Sequence, residues 1–202
     1  MIKLHGTSMS RAGRCLWALE EVGAKYEHVP TSVQQARGSE HLKLNPNGHV
    51  PVLDDDGFVV WESMAINLYL AEKYGKSPLW PSTPQGRAGA YQWSFWAMTE
   101  MEPPMVTLLS NRMFLPPEQR SEQAVKQALE TIKAPLSVLE NHLKSHEYLL
   151  GKEFTIADLN ASAVLSIGSM AGVDLSDAPK TQAWMAKCQS RPSNEKMRQI
   201  SK

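Results

Sequence analysis

Apolar residues follow two rhythms along this chain, and the change between them falls at a Pro- and Gly-rich stretch that begins at Gly75. Before it, short strand-like runs alternate with helical faces. Ile2 to His5 reads as a strand, and Ala12, Cys15, Leu16, Leu19 and Val22 form one apolar face of the next helix, because positions three and four apart share a side. Gly23 supplies the usual C-terminal stop. Tyr26 to Val29 predicts a second strand, Val50 to Leu53 and Phe58 to Trp61 a hairpin, and Ser63 to Tyr74 another helix. From Gly75 to about Gln85 the composition cannot continue a helix and predicts a linker, with Trp80 as an anchor between domains.

After the linker only helical periods recur. Arg87 to about Leu109 carries Tyr91, Trp93, Phe95, Trp96, Met98 and Met101, and Pro103-Pro104 should break or bend it. Glu118 to His146 carries Val125, Leu129, Ile132, Leu136, Leu139 and Leu143 on one face. At Phe154-Thr155-Ile156-Ala157-Asp158, Thr155 and Asp158 have capping-box spacing, and Phe154 stands where it can staple onto Leu159. The predicted fold is therefore an α/β domain over residues 1–76, a linker over 77–86 and an all-α helical bundle over 87–202. The sequence has no internal repeat and no low-complexity segment.

Composition narrows the function. Among 202 residues, 21 Lys and Arg balance 21 Asp and Glu, so no global field favours nucleic acid or an anionic membrane. Met1 leads straight into a strand without a signal-peptide or transit-peptide pattern, and no apolar run reaches membrane-spanning length. Cys15 and Cys188 lie far apart without CxxC spacing, which argues against zinc or a dithiol centre and leaves the cytoplasm as the default compartment. Asp54-Asp55-Asp56-Gly57 lacks the alternating ligands of a calcium loop and reads as the hairpin turn, so no metal is expected.

The chemistry concentrates in Asn45-Pro46-Asn47-Gly48-His49-Val50-Pro51-Val52-Leu53 and in Glu62-Ser63 at a helix start. X-Pro is the one peptide bond at which cis is cheap. A cis Val50-Pro51 bond would turn the Val50 amide and carbonyl outward, where an extended peptide can pair with them as an added strand. Glu62 suits an ammonium, while the Ser63 hydroxyl and the free N–H groups of the helix start suit a carboxylate. A ligand end carrying both groups fits there.

At these motifs the sequence resembles the soluble glutathione transferases, and the resemblance extends over nearly the whole chain. It implies a thioredoxin-like N-terminal domain, in keeping with the strand and helix order above, and a helical C-terminal domain. It further implies glutathione as co-substrate, without another cofactor, held at its cysteinyl backbone by Val50 and Pro51 and at its γ-glutamyl end by Glu62 and Ser63. His49 stands where relatives often carry Lys or Gln and is a weak contact for the glycine carboxylate, with Arg37, His41 and Lys43 as alternatives. A His on a helical turn is more often a surface residue.

A thiol with a pKa of about 8.5 needs help to ionise at neutral pH. A hydroxyl at the end of the first strand, beside a helix N-terminus, supplies it. Gly6-Thr7-Ser8-Met9-Ser10 offers Thr7, Ser8 and Ser10. Ser10 is favoured because serine-dependent relatives of the theta, delta and phi classes place their serine ahead of an arginine such as Arg14; the competing role for Ser10 is a helix cap. Cys15 sits on the apolar helix face and suits burial better than redox work. Met9, Trp93, Trp96, Met101, Met105 and Met113 are candidates for an apolar electrophile site, each weighed against a plain core role.

The expected activity is attack of glutathione thiolate on a small apolar electrophile. Glutathione-dependent peroxidase or disulfide reductase chemistry on the same site, and a non-catalytic interaction module, are the alternatives. The resemblance also implies a homodimer.

Overall fold

A computed structural model describes residues 1–200. Two compact units emerge, one formed by Met1–Trp80 with residues 190–200, the other by Pro81–Gln189. The expected helical domain ran to the end of the chain. Residues 190–200 belong instead with the first unit, because the final helix packs there on the first one.

In the first unit, β1 (Ile2–His5), α1 (Ala12–Val22), β2 (Tyr26–Val29), α2 (Ser39–Leu44), β3 (Val52–Asp55), β4 (Phe58–Trp61) and α3 (Ser63–Tyr74) follow in order. A 3-10 turn at Gln35–Arg37 precedes α2. The sheet runs β2-β1-β3-β4. β1 lies parallel to β2 and antiparallel to β3, with His5 opposite both Val29 and Val52. β3 and β4 form the hairpin, with Val52 opposite Trp61.

Leu4, Val52 and Leu53 are sealed from solvent along with Cys15, Leu16, Leu19, Ile66 and Leu70. α1 and α3 pack on each other and on the sheet. α1 ends at Gly23, whose positive φ of 66° closes the last turn. Burying these side chains supplies the hydrophobic drive, at about 1.5–3 kcal/mol for each large one.

α9 (Pro192–Ile200) packs on α1 in this same unit. Arg191 forms an ion pair with Glu21, Ser193 donates a hydrogen bond to the same carboxylate, and the Trp17 indole N–H donates to Ser193 at 3.1 Å.

The second unit holds α4 (Pro84–Trp96), α5 (Glu102–Leu109), α6 (Glu122–His142), α7 (Ile156–Met170) and α8 (Pro179–Gln189). Between α4 and α5 the chain makes a wide π turn over Ala97–Met101. Pro103-Pro104 then falls in the first turn of α5, where a missing N–H costs little. The prolines therefore do not break the helical path: Trp96 and Glu102, on either side of the π turn, both keep helical φ and ψ.

Asp158 and Thr155 form the predicted capping box, and the buried Asp158 carboxylate also accepts from the Leu149 N–H and the Trp184 indole at 2.8 and 2.9 Å. Burial pushes its pKa up against the pull of these donors. Among the described residues no helix is long and apolar enough to cross a membrane.

Candidate active site

Strand register brings the distant motifs to one end of the sheet. β1 ends at His5 opposite Val52, and Val52 stands opposite Trp61. The loop after β1, the Val50-Pro51 approach to β3 and the Glu62-Ser63 exit from β4 therefore share one edge. The Val50-Pro51 peptide bond is cis, as the sequence predicted. Among the described residues no hydrogen bond takes up the Val50 N–H or carbonyl.

Gly6 makes the convergence possible. Its φ of 134° is one that side chains rarely adopt, and a Cβ there would lie 2.6 Å from Ala12 Cβ, 3.2 Å from Val50 Cβ and 3.5 Å from Ser10 Oγ. Ser10 and Val50 thus crowd the same glycine. Cys15 draws in the third part: its thiol lies 3.6 Å from the Ser63 carbonyl and 3.9 Å from that of Arg11. The first turns of α1 and α3 meet at that sulfur. Cys15 is fully buried, and burial pushes its thiol pKa well above the ordinary range, so it has neither the exposure nor the thiolate that redox chemistry needs.

The three hydroxyls of the loop differ in their partners. Ser10 Oγ donates to the Thr7 carbonyl at 2.6 Å and accepts from the Ala12 N–H at 3.1 Å, so it caps the start of α1. The Thr7 and Ser8 hydroxyls, both half-buried, have no partner among the described residues. The Ser8 main chain lies close against Gly13. A Cβ on Gly13 would lie 2.3 Å from the Ser8 carbonyl, so the loop lies flat against α1 only because residue 13 is glycine.

Glu62 precedes α3 with φ 74° and ψ 115°, a backbone region costly for a non-glycine residue. Its exposed carboxylate has no partner among the described residues, while Ser63 beside it is buried. The Ile66 N–H reaches the Glu62 carbonyl at 2.9 Å, which opens the helix and leaves the N–H groups of its first turn available. Such a start favours an anion.

Of the residues considered for the glycine carboxylate, the His49 and Arg37 side chains are exposed and have no partner among the described residues, and Lys43 is paired with Glu40 at 2.7 Å. His41 departs from expectation. It is buried at 7% exposure, and its Nε2 lies 2.9 Å from the His49 carbonyl. Asn45 Nδ2 donates to that same carbonyl, also at 2.9 Å. No carboxylate ligand can use the His41 Nε2 while it is so engaged. Sequence reading missed this pair and the roles of Gly6 and Gly13; Asn45 ends α2 with an extended backbone, so no helical periodicity links it to His41.

The apolar candidates divide by burial. Met101 and Met105 are core residues at 0% and 1% exposure, and Met105 packs against Gly168 of α7, so they offer no surface to a second substrate. Trp93 is also buried, edge-on to Trp96 at 5.0 Å and beside His142. Met9 in the first unit, at 80% exposure, and Met113 in the second, at 56%, are open, and Trp96 is half-buried.

Two family models match the chain: the glutathione S-transferase N-terminal domain over residues 1–72 and the glutathione S-transferase C-terminal domain over residues 98–192. Glutathione S-transferase GstB of Escherichia coli is 30% identical over 98% of this chain and 97% of its own length. A probable glutathione S-transferase of rice, GSTF2, is 30% identical over 100% of this chain and 97% of its own. Among solved structures, the theta class glutathione S-transferase of Xanthomonas axonopodis pv. citri, with glutathione bound, superposes with a TM-score of 0.90 at 27% identity, covering 96% of this chain and 95% of that one. The chain belongs to the glutathione S-transferase family.

Proposed function

We propose that this protein is an enzyme that binds glutathione along the shared sheet edge and ionises its thiol for attack on a small apolar electrophile. The observation that carries the reading is the crowding of Ser10 and Val50 around Gly6, with the start of α3 joined to the same spot through Cys15. The Val50 N–H and carbonyl, unpaired among the described residues, take the cysteinyl backbone, as an added strand would. Glu62 takes the γ-glutamyl ammonium, and Ser63 with the first N–H groups of α3 takes the neighbouring carboxylate. His49 and Arg37 are the donors for the glycine end.

The sulfur then lies beside the loop at the start of α1. A hydroxyl there stabilises the thiolate by hydrogen bonding and the helix dipole adds to it; two pKa units of lowering require about 3 kcal/mol. Ser10 is the assigned donor, and turning its hydrogen from the Thr7 carbonyl to the sulfur keeps its cap, because the cap uses a lone pair. A second assignment, to Ser8 or Thr7, is favoured by their unpartnered hydroxyls. The electrophile meets the sulfur near Met9. The protein works in the cytoplasm as a homodimer on this reading, and light scattering tests the latter.

Calorimetric titration with glutathione, followed by thiolate absorbance against pH, tests the mechanism. Wild type is expected to bind and to lower the thiol pKa, and Ser10→Ala to bind with an ordinary pKa. A mutant that still lowers the pKa transfers the role to Ser8 or Thr7. Failure of wild type to bind glutathione ends the reading.

A further inference from the structure

We infer that His41 and Asn45 are positioning residues that aim the Val50 N–H at its ligand; the inference rests on the binding mode proposed above. The two side chains donate to one acceptor, the His49 carbonyl, each at 2.9 Å. That carbonyl and the Val50 N–H belong to the same peptide unit. The unit is planar and trans, since among the described residues only Val50-Pro51 and Ser77-Pro78 are cis, so its N–H points opposite to its C=O. Pinning the oxygen from the α2 side directs the N–H away from α2, and there it meets no acceptor among the described residues.

The clasp is itself held in place. Asn45 is 2% exposed, its Oδ1 accepts from the Asn47 N–H and Asn47 Nδ2 at 3.1 Å, and its own N–H donates to the His41 carbonyl at 2.9 Å. The His41 ring packs edge-on to His5, with centroids 6.0 Å apart. Because the carbonyl accepts, His41 must carry its proton on Nε2. One donor would satisfy a carbonyl; two, one from α2 and one from the residue that ends it, fix its direction. Donation to the oxygen also polarises the peptide and strengthens the N–H as a donor. Two buried polar side chains are thus committed to a peptide unit whose other end is open to a ligand.

The test compares His41→Phe, which keeps a ring but has no donor, with His41→Gln, whose amide nitrogen lies equally far along the side chain and restores one. Wild type is titrated with glutathione first; if it does not bind, the underlying site reading has failed, and this inference fails with it. Where wild type binds, His41→Phe is expected to raise the glutathione Kd and KM about tenfold, the effect of one misdirected hydrogen bond. Its kcat at saturating glutathione and the thiol pKa of bound glutathione should stay near wild type, and His41→Gln should recover most of the affinity. Unchanged affinity in His41→Phe overturns the inference. So does an equal loss in both variants with a matching fall in melting temperature, which would make His41 a packing residue only.

Discussion

The Ser10 hydroxyl carries two demands, capping α1 and serving the sulfur, and they separate on mutation. Ser10→Ala removes the bond from the Ala12 N–H, which should cost about 1 kcal/mol of stability in a thermal melt. If Ser10 also donates to the thiolate, kcat/KM falls by a further ~10- to 100-fold, the worth of a charge-assisted hydrogen bond; a stability loss with unchanged activity would confine Ser10 to capping. Asp55 illustrates a different demand. Its buried Oδ2 accepts from Tyr69, Lys73 and Tyr74, each at 2.7 Å, and these donors outweigh the upward push of burial to hold its pKa below the ordinary range. A depressed folded-state pKa gives stability that is full above the unfolded value of about 3.9 and is lost as pH falls through the lower folded value. Asp55→Asn should therefore melt lower than wild type at neutral pH, with the gap narrowing in acid; a gap independent of pH would refute the ionic account. The sequence singled out Val50, Glu62 and Ser63 as candidates because each carries its own local signature. It did not make Asp55 legible beyond a turn, because its partners arrive from α3, 14 to 19 positions away.

Glycines decide how two elements fit where side chains would block them. Gly to Ala inside a helix ordinarily stabilises by about 1 kcal/mol. At Gly13 the sign should reverse, since the new Cβ would meet the Ser8 carbonyl at 2.3 Å. Gly13→Ala is expected to lower the melting temperature and to weaken thiol activation together, because the Ser8 to Ser10 loop must lift from α1; a stabilised, fully active variant would show that the loop does not depend on that approach. The start of α7 shows the opposite case, an element fixed locally. Thr155 and Asp158 announce their cap in four residues, and only the additional bonds from Leu149 and Trp184 come from elsewhere. Asp158→Asn, which keeps the shape and loses an acceptor, should destabilise by about 1–3 kcal/mol in denaturant unfolding, the cost of leaving a buried donor unmet.

The chain closes on its own beginning, since α9 returns to α1 in the first unit through Trp17, Glu21, Arg191 and Ser193. Truncation after Gln189 removes Arg191 and Ser193 and uncovers one side of the helix that carries the loop above. Faster amide exchange in α1, greater than in α7, is the expected result; equal protection with and without α9 would make that helix dispensable. Sequence by itself determined the four strands, the hairpin, α1, α3 and the cap of α7, because periodicity, turn chemistry and capping are set by near neighbours; α2, α8 and α9 carried no such pattern. Tertiary structure alone decided that β1 lies between β2 and β3, that Gly6 gathers Ser10 and Val50, that Met101 and Met105 are core, and that α9 joins the first unit. Those outcomes depend on which buried faces and polar groups satisfy one another across long stretches of chain, and no local pattern contains that information.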